Sequence, residues 1–155
     1  MKTHQLKFSS EYYQFYILDS QSEGKTDAPD FWNDEAGIRK LAIGEGILGV
    51  TIATYGNVNA ELKIFDEKPI ENKKASHIIE ASLKVSSGKL QIRDCTGYDI
   101  QLEIDLEKTD YRIRISSFNL ETVVDDEGND YYEIEIWKSK FEKPKLIERY
   151  VQVYK

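Results

Sequence analysis

The sequence predicts an all-β protein: an antiparallel β-sandwich with one short helix, built by residues 1–155 as one domain. Three observations predict it. Apolar and polar residues alternate with the period of half-buried strands over most of the chain after Gly46. Only residues 30–45 carry a helical pattern. The links between strand-like segments are too short for the crossovers that parallel strands need. Two packed antiparallel sheets therefore fit best, with a closed barrel second. At 155 residues, 40% hydrophobic and 32% charged, the chain can bury a full core without disulfides or metals.

The elements follow in order. Residues 6–18 hold the β-formers Tyr12, Tyr13, Phe15, Tyr16 and Ile17. Both faces are partly apolar, which predicts a strand covered on both sides or bulged near Ser9 and Ser10. Residues 19–29 are a polar loop rich in Ser, Gly and Asp. In the helix, Asp30 or Asn33 caps the start and Asp34 and Glu35 suit its positive end. Phe31, Ile38, Leu41 and Ala42 share a face, and Gly44 or Gly46 stops it. Residues 47–55 and 58–64 are strands expected to pair as a hairpin about Gly56-Asn57. A polar loop containing Pro69 spans 66–76. Ile79, Ala81, Leu83 and Val85 mark the next strand, and Ser86 to Gly88 turn into residues 89–93. Tyr98, Ile100, Leu102, Ile104 and Leu106 then alternate with polar residues. Tyr111, Ile113 and Ile115 face one way, Arg112 and Arg114 the other, and the phase shift at Ser116-Ser117 predicts a bulge. Tyr132, Ile134 and Ile136 form an inward row with Trp137 opposite. A basic connector with Pro144 spans 138–145, and residues 146–154 close the chain as a strand, about the ninth.

A formal net charge of -7 and a pI near 5.0 disfavour nonspecific nucleic-acid binding and adhesion to anionic membranes, unless a local basic patch overrules the average. Cys95 is the single cysteine, so an intramolecular disulfide and a cysteine-based zinc cluster are excluded. It reads as a small core residue. The first residues, MKTHQLKFSS, lack the apolar segment of a signal peptide, and no run approaches the ~20 apolar residues of a membrane span. A reducing cytoplasm is the expected location. No G-x-S-x-G, P-loop, dinucleotide fingerprint or H-E-x-x-H is present, and His4 and His77 lie far apart. Gly44-Glu45-Gly46 lacks the lysine and hydroxyl of a phosphate loop. Neither enzymatic activity nor a cofactor is expected.

The most informative segment is acidic. Residues 121–135 read as a hairpin turning at Asp126 to Asn129, with Gly128 available for a positive φ. Carboxylates therefore gather at a loop tip. Asp125, Asp126, Glu127, Asp130 and Glu133, flanked by Tyr131, form a candidate contact set for a basic protein. An ordinary solvated hairpin end carries the same pattern. A calcium, carbohydrate or lipid-headgroup site is the alternative, but aligning Gly128 with the glycine of an EF-hand loop puts Val123 at its first ligand position. The adjacent pairs Tyr12-Tyr13, Phe31-Trp32 and Tyr131-Tyr132 each send one ring away from a core if extended, either to a binding surface or beneath a covering loop.

Residues Tyr12-Tyr13-Gln14-Phe15-Tyr16-Ile17, Trp32-Asn33-Asp34-Glu35-Ala36 and the stretch from Gly44-Glu45-Gly46-Ile47 to Phe65 together resemble the competence protein J family. The likeness spans most of the first 70 residues. It implies a compact β-sandwich, some of whose members inhibit a bacterial DNA-entry nuclease, and hence a nuclease as the basic partner. It supplies no inhibitory motif to carry onto particular residues. The polar 19–29 loop and the acidic 121–135 segment depart from the family pattern.

Overall fold

The computed structural model describes residues 1–27, 29–97 and 99–152. Its elements run β1 (Lys2–Ser10), β2 (Gln14–Asp19), α1 (Asp34–Arg39), β3 (Leu41–Gly44), β4 (Ile47–Thr51) and β5 (Gly56–Ile64). They continue through β6 (His77–Lys84), β7 (Lys89–Asp94), β8 (Ile100–Asp105), β9 (Asp110–Phe118), β10 (Tyr131–Lys138) and β11 (Lys145–Glu148). A six-stranded sheet has the order β1-β5-β10-β9-β6-β11, and a five-stranded sheet β3-β4-β2-β7-β8. Phe15, Ile17, Leu48 and Ile92 of the smaller sheet meet Leu62, Ile113, Tyr132 and Ile134 of the larger in one buried cluster. The fold is the predicted β-sandwich.

Several local expectations change. The segment 6–18 is two strands in different sheets, because the chain reverses at Tyr12 and Tyr13, both at φ 57°. Its two apolar faces belong to β2, where Phe15 and Ile17 enter the main core. Tyr16 and Leu18 pack outward against Phe31, Ala36, Ala42 and Ile47. The helix is only Asp34–Arg39. Asn33 caps it through Oδ1, which accepts from the Ala36 N–H at 2.8 Å. Lys40, at φ 58°, ends it, since Leu41–Gly44 pair with β4 instead. Ile38, expected on the buried face, is exposed.

Residues 47–55 and 58–64 do not form a hairpin. β4 pairs with β2 and β3, whereas β5 pairs with β1 and runs parallel to β10. That parallel pair is an exception within otherwise antiparallel sheets. The bulge predicted at Ser116-Ser117 is absent. β9 keeps continuous register with β10, so Ser117 stays in the inward row opposite Tyr132 and Phe118 turns outward beside Tyr131. Eleven strands replace the expected nine among the described residues. Tyr98, Val153 and Tyr154, assigned to expected strands, lie outside the described residues. No helix is long and apolar enough to cross a membrane.

Two strand glutamates, Glu80 and Glu135, are buried. Glu80, Arg114 and Glu135 form a row across β6, β9 and β10 on the outer face of the larger sheet. Arg114 Nε donates to Glu80 at 3.0 Å and Nη1 to Glu135 at 3.2 Å and to the Pro69 carbonyl at 3.0 Å. The guanidinium lies 5.0 Å from the Trp137 ring centre. Arg112 donates to the carbonyls of Glu142 and Lys143, both at 3.0 Å. The two arginines thus hold the 66–76 loop and the 139–144 connector over the sheet.

Candidate functional site

Three connections converge at one end of the sandwich: β1 to β2, β4 to β5 and β9 to β10. The β9–β10 connection starts with a 3-10 turn, Leu120–Thr122. It then reverses at Asp125 and Asp126, with φ of 52° and 66°. Two consecutive positive φ values suit a tight turn with a hairpin's twist, which short Asx side chains tolerate better than most. Val124 and Glu127 exchange backbone hydrogen bonds of 2.8 and 3.1 Å across it. The turn therefore falls before the predicted Asp126–Asn129 position. Gly128 serves close approach, not a positive φ: a Cβ there would stand 2.7 Å from Val123 Cα. Asn119 Nδ2 donates to the Asn129 carbonyl at 3.1 Å, and the Asn129 N–H donates to Thr122 Oγ1 at 2.9 Å.

The predicted contact residues separate into three groups. Asp125, Asp126 and Glu127 are exposed together at the tip. Asp130 is buried, which removes it from an exposed contact set. Its carboxylate accepts from the Thr54 N–H at 3.1 Å, from Thr54 Oγ1 and from the Tyr132 hydroxyl at 2.6 Å. Tyr132 Oη in turn accepts from the Ala53 N–H at 2.7 Å. Asp130 thus fastens the β4–β5 connection to β10. Tyr131 and Glu133 lie on the outer sheet face beside β5. Tyr131 donates to Glu61 at 2.7 Å, and Glu133 pairs with Lys63 at 3.5 Å. Burial, then the Glu61 hydrogen bond, pushes the Tyr131 phenol up. Tyr132 is the inward member of its pair, as its phase predicted.

Exposed tyrosines accompany the acidic tip. Tyr12, Tyr13 and Tyr55 are 67%, 38% and 49% exposed. The Tyr13 and Tyr55 rings meet edge to face, 5.1 Å between centres. The Tyr55 N–H donates to the Asp126 carbonyl at 3.1 Å, and the Ile52 N–H to the Tyr13 carbonyl at 2.9 Å. The neighbouring Asp126 side chain is the main cause that raises the Tyr13 pKa. Asp126 lines two grooves. One is about 530 Å3, with Lys7, Phe8, Thr54 and Asn57; the other is about 280 Å3, with Lys40, Leu120, Val123 and Tyr150. The tip is a ridge between them. Tyr55 lies in the connection after β4, not in the strand expected over 47–55, and the Gly56-Asn57 turn signal beside it is the sequence feature that marks its place.

The other residues singled out have internal roles. His77 is buried: Nε2 lies 2.6 Å from the Arg39 carbonyl, and Nδ1 accepts from the Tyr150 N–H at 3.0 Å. Those partners select the neutral Nε2–H tautomer. Burial also lowers the His77 pKa. Cys95 is buried, with Tyr16 Oη 3.4 Å from Sγ. Among the described residues no three His, Cys, Asp or Glu side chains converge as metal ligands would.

No protein-family model matches this chain, and no curated protein matches it. Solved structures do. The crystal structure of ComJ, inhibitor of the DNA degrading activity of NucA, from Bacillus subtilis, superposes with a TM-score of 0.67. The match covers 90% of this chain and 96% of that one, at 17% identity. The chain has the ComJ fold. A structure described as crocagin biosynthetic gene J matches with a TM-score of 0.58 at 14% identity, over 90% of this chain and 100% of the other. The competence protein J resemblance read from Tyr12–Ile17, Trp32–Ala36 and Gly44–Phe65 is therefore present at the level of fold. The last of those segments crosses between sheets where a hairpin was expected.

Proposed function

We propose that this protein is a cytoplasmic inhibitor of the immunity type, which silences a nuclease by covering the basic surface where DNA would bind. The observation that carries the reading is the ComJ fold, since ComJ is an inhibitor of the DNA degrading activity of NucA. The surface chemistry agrees with it. A nuclease must attract phosphates, so its substrate surface is cationic, and an exposed carboxylate ridge is complementary to it. Asp125, Asp126 and Glu127 would form charge-assisted hydrogen bonds with its Lys and Arg side chains. Asp130 supports the ridge from within, and Tyr131 and Glu133 would join only if the partner extends onto the outer sheet face. The role requires no metal, cofactor or catalytic group.

The test is capture of the partner from the source cells, followed by a DNA-degradation assay with the purified nuclease. Titrating this protein should abolish degradation near stoichiometric equivalence. Undiminished degradation at saturating protein, with NucA assayed in parallel, would overturn the reading.

A further inference from the structure

We infer that Tyr12, Tyr13 and Tyr55 form the adhesive centre of a protein-binding surface, which takes an arginine-presenting face of its partner. The partner's identity rests on the inhibitor reading; the surface rests on separate observations. Tyr16, Tyr111 and Tyr132 are buried, and each directs its hydroxyl to an internal partner. Tyr12, Tyr13 and Tyr55 instead leave a third or more of their area in water, on two loops distant in sequence, and Val124 beside the acidic turn is 67% exposed. Backbone hydrogen bonds from Ile52 to Tyr13 and from Tyr55 to Asp126 lock the three connections together. The rings are thus presented on a largely preorganised frame, and a tyrosine has few rotamers to lose on binding.

The chemistry around the rings selects the occupant. Aromatic faces attract guanidinium groups, and the adjacent Asp125 and Asp126 carboxylates match the guanidinium fork. An arginine can therefore stack on a tyrosine while donating to a carboxylate, which a lysine ammonium does less well. Lys7 and Lys40, lining the grooves on either side of the ridge, repel cations there and confine the contact to the ridge. Nucleobases also stack on tyrosines, but Asp125, Asp126 and Glu127 would repel their phosphates.

Two measurements test the surface. In the first, the full chain is titrated with a hexa-arginine peptide, a hexa-lysine peptide and an oligo-dT strand while backbone amides are followed by NMR. Hexa-arginine should shift the amides of residues 11–13, 52–55 and 124–127 and bind more tightly than hexa-lysine, whereas oligo-dT should leave them unmoved. The combined Tyr12→Ala, Tyr13→Ala and Tyr55→Ala variant should bind hexa-arginine at least about tenfold more weakly. The corresponding Phe variant should stay within about twofold, because it keeps the rings. In the second, the same variants are compared in the nuclease assay, where the Ala variant should raise the inhibitory concentration at least about tenfold. Equal hexa-arginine binding by the wild type and the Ala variant, with both folded, would overturn the inference. So would peptide shifts elsewhere, or tight oligo-dT binding at these residues. A wild type that binds the peptide as expected but inhibits no nuclease would defeat the inhibitor reading alone.

Discussion

Asp130 and Asp126 lie four positions apart in one acidic segment, yet their environments give them different roles. Asp130 satisfies three buried donors, from the Thr54 N–H, Thr54 Oγ1 and the Tyr132 hydroxyl. Asp130→Ala would leave all three without that acceptor, and a loss of about 3 kcal/mol in urea unfolding is expected. Asp126→Asn, on the exposed turn, should leave the unfolding midpoint nearly unchanged, since Asn tolerates the positive φ. His77 offers a second residue-scale test. Its pKa is lowered from 6.5, first by burial, although the Arg39 carbonyl opposes the shift; Lys40 and Arg149 add to it, and Glu148 opposes it. Below about pH 6.5 the unfolded chain binds a proton that the folded one refuses. The sign is therefore a loss of stability as pH falls from 7 toward the lowered folded value. Urea midpoints between pH 7.5 and 5.5 should fall for the wild type and vary less for His77→Gln, a less stable variant whose residue 77 does not titrate.

Among the elements, the 119–130 connection is closed by hydrogen bonds within itself, and Gly128 packs against its backbone. A Cβ at Gly128 would meet Val123 Cα at 2.7 Å and the Thr122 carbonyl oxygen at 2.9 Å. Gly128→Ala should therefore displace the acidic turn and cost about 1–3 kcal/mol. Amide shifts concentrated in 119–130 and at Tyr55 would mark the displacement. Gly49→Ala is the comparison, since its Cβ would meet Trp32 Cζ2 at 2.7 Å on β4. It should disturb the 31–33 segment and spare the tip. The inward rows Tyr132-Ile134-Ile136 and Tyr111-Ile113-Ile115 were legible in the sequence because alternation fixes which face of a strand is buried. Alternation does not name a strand's neighbour. The β4 and β5 segments therefore resembled a hairpin although they belong to different sheets. Nor does it distinguish a solvated glutamate from one paired beneath a loop, as Glu80 and Glu135 are with Arg114. The tip carboxylates could be read from the sequence, since they are contiguous. Their association with Tyr13 and Tyr55 could not, because only the folded backbone brings the three connections together.

At the scale of the molecule, the acidic tip and the basic 139–144 connector lie apart along one strand. β10 begins at Tyr131, beside the tip, and reaches Trp137 six residues later, roughly 20 Å away at strand rise. There the strand register sets Trp137 opposite Arg112, which holds the connector carrying Lys140 and Lys143. That separation exceeds the Debye length of ~8 Å in cell-like salt, so the connector's charge cannot cancel the field at the tip. Approach and retention should then divide between different residues. Carboxylates attract a cationic partner before contact, whereas tyrosine rings act only once water has been expelled. Replacing Asp125 and Asp126 by Asn and Glu127 by Gln should slow association with the captured nuclease about tenfold at low salt and flatten its salt dependence. Dissociation should quicken less than in the Tyr55→Ala variant. Stopped-flow association at low and high salt, with dissociation followed by displacement, separates the two effects. An unchanged association rate and salt slope in the charge variant would mean that the ridge does not steer the encounter.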